Sequence, residues 1–300
     1  MSDNYKIDDD KKKYDLRGKN IVVTGATSGI GLAAIKAFIS SGAFVIGVGR
    51  SVERNEKAKA EIISMFPQAK IEYLLANLES QAQVKSLSKT IIDLLGQKGE
   101  NHLDGLVNNA GTYLEKKQLT EDGIEKTFAV NHLAPFILTQ NLLQMLMNAE
   151  HGRVIAVSSY SHYTTPLCLS RITNPWPYIS LMAYKRSKLC DVLFTYALNR
   201  RYDHLEAFAV DPGLVNTSIA SKGSQGISHW VWRSRRKKGT PPETPAKTIL
   251  YLCAEDEINT TQGFYFKDCK PKVSSRKSRR KDLADDLWDL SCKLTELSWD

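Results

Sequence analysis

Cysteine is sparse. The 300 residues hold five, Cys168, Cys190, Cys253, Cys269 and Cys292, with no CxxC and no Cys/His pair at metal-ligand spacing. A disulfide scaffold and a zinc finger are therefore out, and a reducing compartment fits. Long apolar runs are also missing: no stretch approaches the roughly 18 residues a membrane span needs, and the charged first twenty residues lack the apolar core of a signal peptide. The expectation is a cytoplasmic chain without a span or leader. His102, His132, His151, His162, His204 and His229 are dispersed, so no metal is expected. There is no G-x-S-x-G elbow, and Ser158-Ser159-Tyr160 has no flanking glycines, which argues against a serine hydrolase. Internal repeats and low-complexity blocks are absent too.

What is present is an ordinary globular composition, 42% hydrophobic and 25% charged, in a chain long enough to bury a large core as one domain. The net charge of +8 comes from one region, since Trp230 to Lys281 carries fourteen Lys or Arg against five Asp or Glu. Arg233, Arg235, Arg236, Lys237 and Lys238 form one cluster and Arg276, Lys277, Arg279, Arg280 and Lys281 another. Solvated loops explain both clusters. Peripheral contact with an anionic membrane stays open, and nucleic acid is disfavoured.

Residues 1–18, with acids Asp8 to Asp10 beside Lys11 to Lys13, read as a flexible arm, and order is expected from Lys19. From there short β-rich runs alternate with helical periodicity. The runs are Ile21–Val23, Phe44–Val48, Ile71–Leu75, Gly105–Val107, Val154–Val157 and Ala207–Val210, with Phe264–Phe266 a seventh. Strand-helix alternation predicts an α/β fold over 19–300: a doubly wound parallel sheet of about seven strands, helices on both faces, and a ligand crevice beyond the carboxyl ends of the strands.

Thr24-Gly25-Ala26-Thr27-Ser28-Gly29-Ile30-Gly31 sits where a phosphate cradle belongs, after a strand and before a helix. Glycines let the backbone approach a pyrophosphate, and the helix start offers unpaired N–H groups. At the end of the second strand, Gly47-Val48-Gly49-Arg50-Ser51 has no acid to bind a free ribose 2′-hydroxyl. Arg50 instead offers a cationic fork for a 2′-phosphate, favouring NADP(H) over NAD.

With Asn108-Asn109-Ala110-Gly111 after the fourth strand and Tyr184-Lys185-Arg186-Ser187-Lys188 farther on, this pattern resembles the short-chain dehydrogenase/reductase family, whose fold is Rossmann-type. Within it the chain is most similar to the retinol dehydrogenase branch, through Phe128 to Phe136 and the ending Leu287-Trp288-Asp289-Leu290-Ser291. The resemblance implies that Gly25, Ser28, Gly29, Ile30 and Gly31 border the pyrophosphate, and that Asn108, Ala110 and Gly111 line the adenosine ribose side. Asn131, Ser159, Tyr184 and Lys188 match the family's catalytic four. Pro212, Gly213, Val215 and Thr217 match the segment that meets the nicotinamide. Where the family commonly has an Asp near adenine, this chain has Asn77-Leu78, whose amide can still bond the adenine amino group.

Reducing a carbonyl by hydride leaves an alkoxide that needs a proton, and a free phenol near pKa 10 is a poor donor at neutral pH. Lys188, four residues after Tyr184 on one helix face, is expected to lower that pKa. Strand alternation and the family pattern both favour Ser159 over Ser158 as the partner of the substrate oxygen. Asn131 reads either as an interior polar residue satisfying backbone groups or, by the resemblance, as a holder of a relay water.

One substrate wall is expected from His162 to Cys168 and Pro175 to Tyr178. A lid over about 214–245, with Ile219, Ile227, Trp230, Val231 and Trp232, supplies the other, and about 267–300 forms a basic, helical extension. Their apolar character points to a small lipophilic carbonyl or alcohol, and the resemblance implies one that is retinoid-, steroid- or lipid-like. Two alternatives stay open: a non-catalytic NADP-binding protein that uses its basic surface for a partner or nucleic acid, and a reductase of carbon–carbon double bonds on the same fold. A homo-oligomer is also open.

Overall fold

In the computed structural model, which describes residues 14–215 and 239–298, every apolar run becomes a strand. These are β1 (Asn20–Thr24), β2 (Phe44–Gly49), β3 (Ile71–Leu75), β4 (Gly105–Asn108), β5 (Gly152–Val157), β6 (Leu205–Val210) and β7 (Tyr265–Lys267). All seven run parallel. An eighth, β8 (Lys270–Pro271), pairs antiparallel with β7, giving the order β3-β2-β1-β4-β5-β6-β7-β8. It escaped the sequence reading because its two-residue turn, Asp268 and Cys269 at φ 51° and 58°, lacks the glycine that usually marks such a hairpin.

Strand alternation sorts the core into two layers. Val22, Ile46, Leu106 and Val154 face α3 (Gln81–Gln97), α5 (Ala134–Asn141), α7 (Ser180–Arg201) and α9 (Lys281–Thr295). Ile21, Val23, Val45, Val107 and Ile155 face α1 (Gly29–Ser40), α2 (Val52–Met65) and α8 (Glu243–Ala254). Strand order reverses between β1 and β4, and that switch point opens the crevice at the carboxyl ends.

One expected boundary changes. Packing starts before Lys19: Leu16 is buried, and its amide donates to Ser41 O at 2.7 Å, because an apolar side chain lies within the charged start. The expected extension after 267 is helical and packs onto the core. Leu287 and Trp288 on α9 are buried, with the Trp288 ring 5.4 Å from Phe136, 5.7 Å from Phe194 and under the Arg201 guanidinium. The basic residues Arg276, Lys277, Arg279, Arg280 and Lys281 remain exposed.

Candidate active site

The turn after β1 takes its shape from its glycines and from a clamp of hydrogen bonds. Gly25 and Gly29 have φ of 66° and 57°, which side chains rarely tolerate. Asn109 Nδ2 donates to Thr24 O at 2.8 Å and Gly25 O at 3.3 Å, while the Asn109 and Ala110 amides both donate to Thr24 Oγ1 at 3.0 Å. Tyr73, lying against Gly47, donates its hydroxyl proton to Ala26 O at 3.0 Å. A Cβ on Gly31 would fall 2.4 Å from Gly25 O and 2.5 Å from Asn109 Nδ2. Ser28 is the N-cap of α1 but gives no side-chain cap, so the first amides of the helix, with Ile30 and Gly31 among them, are left for an anion. This donor set fits a pyrophosphate. Thr24 and Asn109 stand inside the motifs quoted from the sequence without a role of their own, and Tyr73 was missed, because their part is to hold the loop, which no local pattern reveals.

Arg50 is exposed directly after β2. Glu79 lies near enough to feel it, although the Glu79 carboxyl is held below its ordinary range first by Lys126, 2.9 Å away, and then by Asn77. The Asn77 amide is engaged, donating to Glu79 Oε1 at 2.9 Å and accepting from the Glu79 amide at 3.3 Å. The free adenine-binding amide anticipated from the sequence is therefore tied into its own turn. Leu78 beside it is half-buried. Asn108 is buried, with Nδ2 3.5 Å from Thr139 Oγ1 and no partner for Oδ1 among the described residues, and Gly111 follows it at the rim.

Ser159, Tyr184 and Lys188 lie together near the end of β5. Ser158 is buried and donates to Lys188 O at 2.8 Å, whereas Ser159 Oγ accepts from the Ser161 amide at 3.2 Å and lies near enough to the Tyr184 phenol to act on its pKa. His162, which the sequence assigned to a substrate wall, is turned inward. Its Nε2 accepts from the Ser275 amide at 3.1 Å, so Nδ1 carries the proton and donates to Ser159 O at 2.8 Å. Burial holds its pKa below the ordinary value, keeping it neutral. Tyr113 is a further residue the sequence did not flag. Its ring meets Tyr184 edge-on at 5.8 Å, and its hydroxyl is 3.0 Å from Ser180 Oγ.

Asn131 lies on a π-helical turn, Ala129–Leu133, between α4 (Lys126–Phe128) and α5. Its Oδ1 accepts from the Thr112 amide at 2.7 Å, and its Nδ2 donates to Thr112 O at 3.1 Å and Ser187 Oγ at 2.9 Å. The side chain thus stitches the loop after β4 to α7, as an interior polar residue would. Next to it, fully buried His132 meets Ser291 Oγ through Nε2 at 2.9 Å.

Lys188 Nζ donates to Val157 O at 2.8 Å and to Asp191 Oδ2 at 2.9 Å. The expectation that Lys188 brings the Tyr184 pKa below its ordinary value is corrected here. Burial raises it, and this outweighs the lowering by the Lys188 charge and the Ser159 hydroxyl, while Asp191 and Asp211 push it further up. A buried counter-ion on the lysine could not be foreseen from the Tyr-x-x-x-Lys spacing.

After β6, Asp211 is buried, accepts from the Gly213 amide at 3.0 Å and pairs with Lys272 at 3.4 Å. Gly213, at φ 69°, turns the chain after Pro212. Leu214 O accepts from the Thr240 amide at 2.7 Å and Val215 bridges Thr240, so the two ends of the expected lid lie side by side. Thr217 and the lid residues Ile219, Ile227, Trp230, Val231 and Trp232, like the first basic cluster, lie outside the described residues. No helix among the described residues is long and apolar enough to cross a membrane.

Known proteins share this arrangement. A family model described as short chain dehydrogenase matches residues 19–227. The chain is 32% identical to short-chain dehydrogenase TIC 32 A, chloroplastic, of Brassica napus, covering 94% of this chain and 90% of that one. It is 31% identical to retinol dehydrogenase 11 of Mus musculus, covering 95% and 89%. An uncharacterized protein from Mycobacterium paratuberculosis superposes with a TM-score of 0.72 at 26% identity over 96% of this chain and 97% of its own. A short chain dehydrogenase from Shigella flexneri, solved with NADP, gives 0.64 at 21% identity over 86% and 100%. A cradle at the switch point of a parallel sheet, matched along nearly its whole length by such relatives, makes this chain an oxidoreductase of the short-chain dehydrogenase family, with retinol dehydrogenases among its kin.

Proposed function

We propose that the chain interconverts a carbonyl and an alcohol carbon with NADP(H), using Tyr184 as acid and base, on a small lipophilic substrate. The observation that carries this reading is the convergence of Ser159, Tyr184 and Lys188 at the end of β5, on the same rim as the glycine cradle. The cradle amides would hold the pyrophosphate, Arg50 a 2′-phosphate, and Pro212, Gly213, Val215 and Thr217 the nicotinamide end. When bound, the cofactor supplies or accepts the hydride, which is two electrons and one proton.

The chain's own residues move the remaining proton. Ser159, its backbone fixed by His162, orients the substrate oxygen beside Tyr184, and the Tyr184 hydroxyl gives that oxygen its proton as the carbonyl carbon is reduced. In the reverse direction the phenolate takes the proton back. A phenol held protonated by burial is the form that reduction requires. Lys188, its Nζ within 5.9 Å of the Tyr184 ring, steadies the phenolate left behind. Apolar side chains stand exposed on the segments that follow Ser159 and precede Tyr184, Tyr160 at 60%, Trp176 at 77% and Ile179 at 56%, which favours a greasy substrate.

The test is NADPH consumption by purified protein with lipophilic aldehydes and ketones, NADH in parallel, and product analysis to separate carbonyl from double-bond reduction. Turnover that is lost in Tyr184→Phe while NADPH binding survives is the expected result. Near-normal turnover in that variant would remove Tyr184 from the mechanism.

A further inference from the structure

The ion pair beneath Tyr184 is unusual in its placement. Lys188 and Asp191 lie three residues apart on α7, their side chains each 5% exposed, with Nζ and Oδ2 2.9 Å apart. Val157 O already anchors the ammonium from β5 at 2.8 Å, so a carboxylate is not needed to hold Lys188 in position. Its presence changes the charge available to Tyr184. An ammonium facing a phenolate alone makes a neutral pair. With Asp191 ionised, the same ammonium faces two anions, and the site carries a net negative charge away from water, where like charges repel strongly.

The other groups around the phenol do not cancel this. From its own helix it faces Lys188 and Asp191, from the end of β5 the neutral Ser159, from the loop after β4 the neutral ring of Tyr113, and from the end of β6 Asp211. Asp211 is itself paired with Lys272 at 3.4 Å. Lys188, its Nζ 5.9 Å from the Tyr184 ring, is thus the one cation acting on Tyr184 among the described residues, and Asp191 sits on it. Besides Lys188, the charged or titratable neighbours acting on Asp191 include the buried Cys190 thiol on the same helix.

Resting on the reading of Tyr184 as acid and base, the geometry points to Asp191 as a positioning residue: by occupying the charge of Lys188 it adds to what burial does in keeping Tyr184 a phenol, so the site stands ready to protonate a reduced carbonyl, and alcohol oxidation begins at higher pH than it would without Asp191. Lys188 has three N–H donors. Two are spent on Val157 and Asp191, which would leave one to meet a bound cofactor.

The experiment is a pair of pH profiles of kcat/KM, NADPH-dependent reduction and NADP-dependent oxidation, for the unaltered chain, Asp191→Asn, Asp191→Ser and Asp191→Glu, with Tyr184→Phe alongside. The neutral variants are expected to move both limbs together to lower pH: the rise of oxidation comes earlier and so does the fall of reduction. Asp191→Glu, which keeps the charge, is expected to leave both near their native positions. A purely structural role would lower both rates without moving either limb. Limbs unmoved in whichever neutral variant folds, or moved equally by Asp191→Glu, overturn the inference while a dead Tyr184→Phe leaves the underlying mechanism standing. An active Tyr184→Phe would instead sink that mechanism itself.

Discussion

Gly31→Ala tests the cradle most directly. The added methyl would sit 2.4 Å from Gly25 O and 2.5 Å from Asn109 Nδ2, against ordinary contact at 3.4 Å, so the start of α1 and the turn must separate by about 1 Å. Neither neighbour can swing away. Gly25 O is backbone at φ 66°, and Asn109 is held through its amide to Thr24 and Gly25. Overpacking of this kind costs on the order of 1–3 kcal/mol in stability. Displacing the helix amides by about 1 Å also stretches their hydrogen bonds to a phosphate beyond effective range, and two such charge-assisted bonds at roughly 1.5 kcal/mol each correspond to a weakening of NADPH binding by about a hundredfold. Fluorescence titration with NADPH and thermal melts with and without it read both effects. An affinity within about threefold of native, with an unchanged melting temperature, would refute the reasoning that this turn forms the pyrophosphate site.

Arg50→Asp replaces an exposed cation with an anion, and NADPH affinity should fall while NADH affinity holds; unchanged NADPH/NADH discrimination in parallel titrations would contradict the 2′-phosphate assignment. Arg153 is 2% exposed and serves Glu206 Oε2 at 2.8 Å, Leu252 O at 3.2 Å and Asp256 O at 3.4 Å, so Arg153→Ala should cost about 3 kcal/mol, visible as a clear drop in denaturant midpoint with a nearly native kcat. Burial holds His132 down at about 3 from an ordinary 6.5, so the unfolded chain binds a proton that the folded chain refuses across that window. Its contribution is complete above about pH 6.5 and is lost as pH falls toward 3, at up to about 1.4 kcal/mol per unit. His132→Phe should flatten that slope in melts taken across the window, and an identical slope would exclude His132 as its source.

The parts of this fold that are periodic or local are legible in the sequence. β-rich runs separated by helical segments announce the parallel sheet, and the glycines of 25–31 announce the cradle, because both depend on neighbours in the chain. What stayed hidden depends on contacts between distant segments. Asn109 clamps a turn 84 residues earlier, and His162 fixes Ser159 only because Ser275 occupies its other nitrogen, 113 residues on. The Tyr184–Lys188 spacing is visible, but the sign of the net effect on Tyr184 is not, since it turns first on how deeply the phenol is buried, and the Asp191 carboxylate on Lys188 only adds to it. The inward orientation of His162 and the engaged amide of Asn77 are the same lesson at smaller scale: residue type suggests a function, and partners decide it.

The bond between His132 and Ser291 joins residues 159 apart, one on the turn that carries Asn131 and the other on α9. A ribosome delivers the chain from its amino end, so β1 through α5 emerge well before the hydroxyl that His132 awaits has been made. During that interval the imidazole, with its neighbours Phe128 and Phe136, has no α9 to pack against. His132 is therefore paired late, by the last helix of the described residues to be synthesised, and a message cut short before codon 291 would yield a chain in which the turn beside Asn131 lacks that bond.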